Sequence, residues 1–250
     1  AGLRVQVIRR SGHRARTTAG RGQEAAEQAV AEQAVAVADL RPGHEAVHWR
    51  TWREPRELLD LDLRSPVTAA GPQHVALVCT HGRHDLCCAI EGRPVAAALA
   101  ADSGWEVWET SHLGGDRFAA NLLLLPEGDL FGGLDAAAAV EVARAYRDGL
   151  LPAPHHRGRL GRPAVEQAGL HYVMVALGEQ RRGAVQVERI TQLGERQWVL
   201  AVVHRGPGGD AVGYRVQLSA TWSVPARLTC AAVTPSRVRR FHLDDLAAVP

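Results

Sequence analysis

Three of the four cysteines fall close together, at Cys79, Cys87 and Cys88. They sit in the stretch VCTHGRHDLCCAIEGRP, residues 78–94, with His81, His84 and Asp85 between them. The apolar run HVALVCT before the first cysteine has the character of a buried strand. A second polar island follows at residues 109–128, ETSHLGGDRFAANLLLLPEG, and it contains His112 and Asp116. This arrangement constrains the fold strongly. Metal-ligating residue types stand at the mouths of successive elements, so the elements must run side by side for those residues to meet.

The sequence around these islands predicts such a unit. Residues 74–80 form a strand. RPVAAALAADSG forms a helix with Pro94 in its first turn and Gly104 past its end. WEVWETS alternates as a strand, and ANLLLLPEGDLFGGL gives two strands joined by a turn at Pro126 to Asp129. LDAAAAVEVARAYRDGL is a helix with Asp135 as N-cap and Gly149 just beyond its C-terminus. The order strand, helix, strand, strand, strand, helix fits an α/β (α+β) unit, with thioredoxin-like layers of helices on a small mixed sheet.

Before this unit, residues 1–70 read as an N-terminal α/β segment. It comprises a strand LRVQVIRR, a helix through the first half of QEAAEQAVAEQAVAVAD, a strand at AVAVAD, and a short helix at EPRELLDLDL. The cluster of Pro66, Gly71 and Pro72 marks a boundary. The central domain spans residues 74–150. LLPAPHHRGRLGRP reads as a linker, and residues 164–250 as a helix followed by a small antiparallel subdomain. Its strands are expected at AVQVERI, RQWVLAVVHR, GYRVQLSATW and ARLTCAAV.

Composition narrows the function classes. The formal charge is +2, and all 29 Lys+Arg residues are arginine. They are dispersed rather than set in a basic stripe with aromatics, which argues against a nucleic-acid partner. No apolar run has the length of a membrane span, and no signal-peptide pattern opens the chain. A cytoplasmic, reducing setting is therefore expected, in which clustered cysteines bind metal more often than they form staples. No GxGxxG follows a strand, so no nicotinamide or flavin site is expected. The adjacent Cys87 and Cys88 lack the CxxC spacing of thiol exchange.

Taken singly, each residue has an ordinary reading: Cys79 a buried hydrophobe, His81 and His84 loop residues, His112 a cap, Asp116 a turn residue or a partner of Arg117. In combination, two thiols and an imidazole at successive element ends, with Gly114 and Gly115 allowing a tight turn, suit zinc or an iron–sulfur cluster.

The two motifs CTHGRHDLCCAIEGRP and SHLGGDRFAANLLLLPEG together resemble the sucrase/ferredoxin-like family of thioredoxin-like ferredoxins. The resemblance runs in order from about Leu3 to Gln167 and includes WREPRELLDLDL. It implies a [2Fe–2S] cluster on a thioredoxin-like fold, with two cysteines on one iron and two histidines on the other in eukaryotic members. The family cysteines match Cys79 and Cys88, and the first histidine matches His112. The second falls on Asp116, so the family's H-x-x-x-H reads H-x-x-x-D here.

The expected ligand set is therefore Cys79, Cys88, His112 and Asp116. Cys87 and then Cys230 are the next candidates for the fourth position, and His81 and His84 are near in sequence. The leading expectation is an electron-transfer protein served by a separate redox partner, a reductase or an acceptor. An oxidoreductase acting on a small molecule through the cluster is the second. A cluster-free thioredoxin-like or zinc-binding module is the third. No glycosidase carboxylate pair stands out. Arg83, Arg93 and Arg117 surround the motif, and Trp105 and Trp108 read as packing residues.

Overall fold

The computed structural model describes residues 4–10, 33–63, 71–102, 104–229 and 232–249. Twelve strands and three α-helices are assigned among them. The central sheet has six strands in the order β1-β5-β4-β6-β7-β8. These are β1 (Ile8–Arg10), β4 (Val75–Cys79), β5 (Glu106–Thr110), β6 (Asn121–Leu125), β7 (Asp129–Gly132) and β8 (His156–Arg159). β4 and β5 are parallel and the remaining pairs are antiparallel, so the sheet is mixed and the fold is α+β.

β4 is buried along all five residues because both of its faces are covered. Ala76 and Val78 face Val95, Ala96 and Leu99 of α1 (Leu86–Ala101) and Val142, Ala143 and Tyr146 of α2 (Ala136–Arg147). Val75, Leu77 and Cys79 point the other way, onto Val47 and Trp49. Those two belong to the hairpin of β2 (Gln33–Asp39) and β3 (Ala46–Trp52). The period-two alternation of VALVC thus assigns Cys79 to the hairpin face.

α1 departs from the expected helix. It begins at Leu86, and Pro94 lies inside it instead of in its first turn. The buried positions Cys88, Gly92, Val95, Ala96 and Leu99 form one continuous helical stripe across the proline. Proline removes one backbone donor, but Pro94 and Ile90 both lie on the exposed face, where water satisfies the freed carbonyl. α2 follows expectation: the Asp135 side chain accepts from Ala138 N at 2.8 Å, and Gly149 adopts φ 82°.

Other expectations shift. EPRELLDLDL forms only a 3₁₀ turn at Pro55–Leu58, and among its described residues LRVQVIRR is a strand only at Ile8–Arg10. The β3 strand AVHWRTW was not expected from the sequence. The proline- and histidine-rich segment read as a linker supplies edge strand β8. The helix expected ahead of Gln33 lies outside the described residues.

In the C-terminal part, α3 (Ala164–Leu177) packs through Val173 on a four-stranded antiparallel sheet, with Trp198, Leu200, Val216 and Leu218 beneath it. The strands are β9 (Val185–Gly194), β10 (Gln197–Arg205), β11 (Ala211–Trp222) and β12 (Arg239–Val249). The fourth strand is β12, whereas ARLTCAAV forms no strand among its described residues. This part docks on the central sheet through Arg182, which pairs with Glu127 at 2.8 Å and lies 4.2 Å over the Tyr146 ring. Among the described residues no helix is long and apolar enough to cross a membrane.

Candidate metal centre

Topology brings the ligand-type residues together. Because β4 and β5 are parallel, with Cys79 opposite Thr110, their C-terminal ends emerge side by side. The antiparallel β6 starts at that same end, and so does α1, whose N-cap is Asp85. Cys88 is the third residue of α1, in the first helical turn, where the helix dipole favours negative charge.

Close approach of α1 to β4 depends on Gly92. A Cβ there would stand 2.1 Å from the Cys79 carbonyl oxygen. The loop after β5 turns through Gly114 (φ 94°) and Gly115 (φ 71°), conformations that glycine adopts without strain. It is held by Asn121, whose Nδ2 donates to Gly115 O at 3.0 Å, and by Arg4, which donates to His112 O at 2.9 Å.

Cys79 and Cys88 are buried free thiols, 0% and 1% exposed. One ligand atom from each, together with one from His112, lie within 4.8 Å of one another. His112 presents its two nitrogens to different neighbours. Nδ1 lies 4.0 Å from Cys79 Sγ, and Nε2 lies 2.9 Å from Asp116 Oδ1. Asp116 is 2% exposed, and its Oδ1 is also 4.0 Å from Cys88 Sγ. His84 stacks on His112 with ring centroids 3.8 Å apart, and its Nε2 lies 3.8 Å from Asp116 Oδ2.

Electrostatics match a site built to be neutralised by a cation. Burial pushes the Cys88 thiol up, and the neighbouring Cys79 sulfur and Asp116 carboxylate push it further. Burial also lowers the pKa of His112, keeping the imidazole neutral and able to ligate, although Asp116 opposes the shift. Among the described residues, Asp116 Oδ2 is buried without a hydrogen-bond partner. A buried acceptor left in that state costs about 1–3 kcal/mol. Two buried thiols, an imidazole and an orphaned carboxylate oxygen form a donor set that fits an iron–sulfur cluster or a single thiophilic ion.

The four residues expected from the sequence thus come together. Cys87 stays at the rim: it is half-buried, with Sγ 3.3 Å from Asp85 Oδ1 and 3.6 Å from Asp116 O. Cys230 lies outside the described residues. Asp116 pairs with His112, while Arg117 stacks on Phe118 at 4.5 Å. Trp105 and Trp108 do pack, against Tyr146 and Trp49 respectively. The stacking of His84 on His112 was not legible, because nothing in a loop's sequence spacing fixes a contact with another loop.

No curated protein and no solved structure matches the chain. A family model described as Sucrase/ferredoxin-like matches residues 8–158, more than half of the chain and all of the site just described. The chain belongs to the sucrase/ferredoxin-like family.

Proposed function

We propose that this protein carries a [2Fe–2S] cluster and transfers electrons. Cys79 and Cys88 would hold one iron, and His112 and Asp116 the other. The observation that carries the reading is the pair of buried free thiols within 4.8 Å of a His112 nitrogen. When bound, such a cluster supplies reversible one-electron chemistry.

The chain's residues tune that chemistry. Cys79, Leu77 and the β2–β3 hairpin exclude water from the thiolate side. Asp116 brings a negative charge where a second imidazole would be neutral. Imidazole ligation raises cluster potentials by several hundred millivolts over all-thiolate ligation, so the carboxylate keeps the potential lower than a two-histidine site would have. Arg83, Arg93 and Arg117 are exposed around the site. They suit docking of an acidic redox partner, from which the electrons arrive or to which they leave.

Anaerobic purification with iron and acid-labile sulfide assays, beside EPR of the dithionite-reduced protein, tests the reading. Two irons and two sulfides with a rhombic reduced signal are expected. Asp116→His should then raise the potential by on the order of 100 mV. An unchanged potential and spectrum would remove Asp116 from the ligand set. Turnover of a small oxidant at substrate-like rates would move the reading from carrier to oxidoreductase.

A second reading rests on the compactness of the Cys79, Cys88 and His112 group, which suits one tetrahedral ion such as zinc. Stoichiometric zinc without sulfide would select it.

A further inference from the structure

We propose that a redox partner seats on the outer face of α1, with Leu86 and Ile90 as the apolar centre of the interface and Arg83, Arg93 and Arg117 as its cationic rim; the assignment rests on the electron-transfer reading above. The partner is an acidic protein that carries its own redox centre.

The residue pattern of α1 carries the argument. A surface helix turns its apolar residues to the core and its polar ones to water. α2 does so, with Glu141, Arg144 and Arg147 exposed. α1 packs in the same core cluster, yet of its 16 residues only Glu91 and Arg93 are charged. Its buried stripe runs through Cys88, Val95 and Leu99. On the opposite side Leu86, Ile90, Pro94 and Ala97 follow one another at helical spacing, and all of them are exposed. Leu86 is 65% and Ile90 58% exposed. A helix that is apolar all round is suited to being covered all round.

Position and charge say what covers it. Leu86 is the first residue of α1, close in sequence to Cys88, and His84 just ahead of it stacks on His112. A partner on this stripe therefore lies against the metal centre, where electron exchange has to bring it. Arg83 precedes the stripe and Arg93 lies along it, both exposed. Cys87 Sγ lies 3.6 Å from Asp116 O, so the turn that carries the exposed Arg117 borders the helix on its Cys87 side. These guanidinium groups outnumber the single carboxylate of α1, Glu91. A second copy of the chain would bring the arginines against one another, whereas an acidic partner satisfies them. An apolar centre within a charged rim is the anatomy of a transient interface, and redox encounters are among the smallest of these. In each encounter one electron passes to the oxidised cluster, so the partner is oxidised by one electron and the cluster is reduced by one.

The test is stopped-flow reduction of the full-length protein by flavodoxin hydroquinone, an acidic one-electron donor, across a range of salt concentrations. The wild-type rate should fall as salt rises. Arg83→Glu with Arg93→Glu should lower it by about tenfold or more at low salt and flatten the salt dependence. Ile90→Gln should slow it at every salt concentration. Iron and sulfide content, and reduction by photoreduced deazariboflavin, a small uncharged donor, should match wild type in all variants. If the double variant loses its cluster, Arg93→Gln takes its place under the same criterion. Equal flavodoxin rates in wild type and variants, or a wild-type rate indifferent to salt, overturn the docking face and leave the cluster reading standing. A wild-type dimer in size-exclusion chromatography that Ile90→Gln dissociates gives the face to a second copy and overturns it too. Wild-type protein without iron and sulfide overturns the cluster reading itself, and the docking face with it.

Discussion

Gly92→Ala separates two opposing effects at the point where α1 meets the metal centre. In an exposed helix the substitution would stabilise by about 1 kcal/mol through helix propensity. Here the new methyl would lie 2.1 Å from the Cys79 carbonyl oxygen and 3.1 Å from its carbonyl carbon. Carbon–oxygen contacts sit at about 3.3–3.6 Å, so helix and strand must separate by roughly 1.2 Å. The obstacle is backbone in the middle of a sheet, and it cannot rotate away. Overpacking of this kind costs about 1–3 kcal/mol, and a displacement this large belongs at the upper end. The net expectation is a loss of about 2 kcal/mol. For a chain of this size that lowers Tm by about 4–8 °C. Differential scanning calorimetry of the metal-free protein reads it directly. A Tm equal to or above that of wild type would mean that propensity wins and that the tight α1–β4 approach does not exist.

Gly169→Ala is the matching case in which the obstacle is soft. Its methyl would meet Leu200 Cδ2 at 2.5 Å, the far end of a side chain that can change rotamer, so Tm should stay within about 3 °C of wild type. Asp129, 3% exposed, accepts a hydrogen bond from the Tyr146 hydroxyl at 2.7 Å and pairs with His156 Nε2 at 3.0 Å. Burial alone would raise its pKa, but His156 and Tyr146 outweigh burial and hold the carboxyl below its ordinary value. Because the folded pKa is depressed, its stabilisation is present above the unfolded value of about 3.9 and is lost as pH falls through the folded value. Asp129→Asn should therefore cost about 3 kcal/mol at pH 7, and urea titrations should show the gap to wild type closing below about pH 4. A gap independent of pH would refute the contribution of the ionised Asp129 carboxylate. Cys87→Ser should retain iron and sulfide at wild-type stoichiometry, since Cys87 lies at the rim beside Asp85; loss of the cluster would move the ligand assignment from Cys88 to Cys87.

Periodicity carried much of the fold into view. VALVC, NLLLL and the Asp135-capped α2 follow from apolar pattern and capping chemistry, which act within a few residues. The failures share a cause as well. Gly92 and Pro94 look like the start of a helix, yet they lie inside one because the stripe from Cys88 to Leu99 is buried against β4 and outweighs the local signal. The histidine- and arginine-rich β8 has no strand-like pattern; it exists because β7 offers an open edge on which to pair.

For the site, the sequence by itself determined the donor chemistry: two thiols, an imidazole and, at position 116, a carboxylate instead of a second imidazole. It also determined that these stand at the ends of elements. Tertiary structure decided which of them face one another. Parallel pairing of β4 with β5 brought Cys79 and His112 to one end of the sheet. The roughly 100° between neighbouring helical residues turned Cys88 inward and left Cys87 at the rim. Folding of two separate loops against each other set His84 on His112 and left one buried oxygen of Asp116 without a hydrogen-bond partner among the described residues. Contacts between loops depend on how the whole sheet and its helices pack, and no local pattern in the chain encodes them.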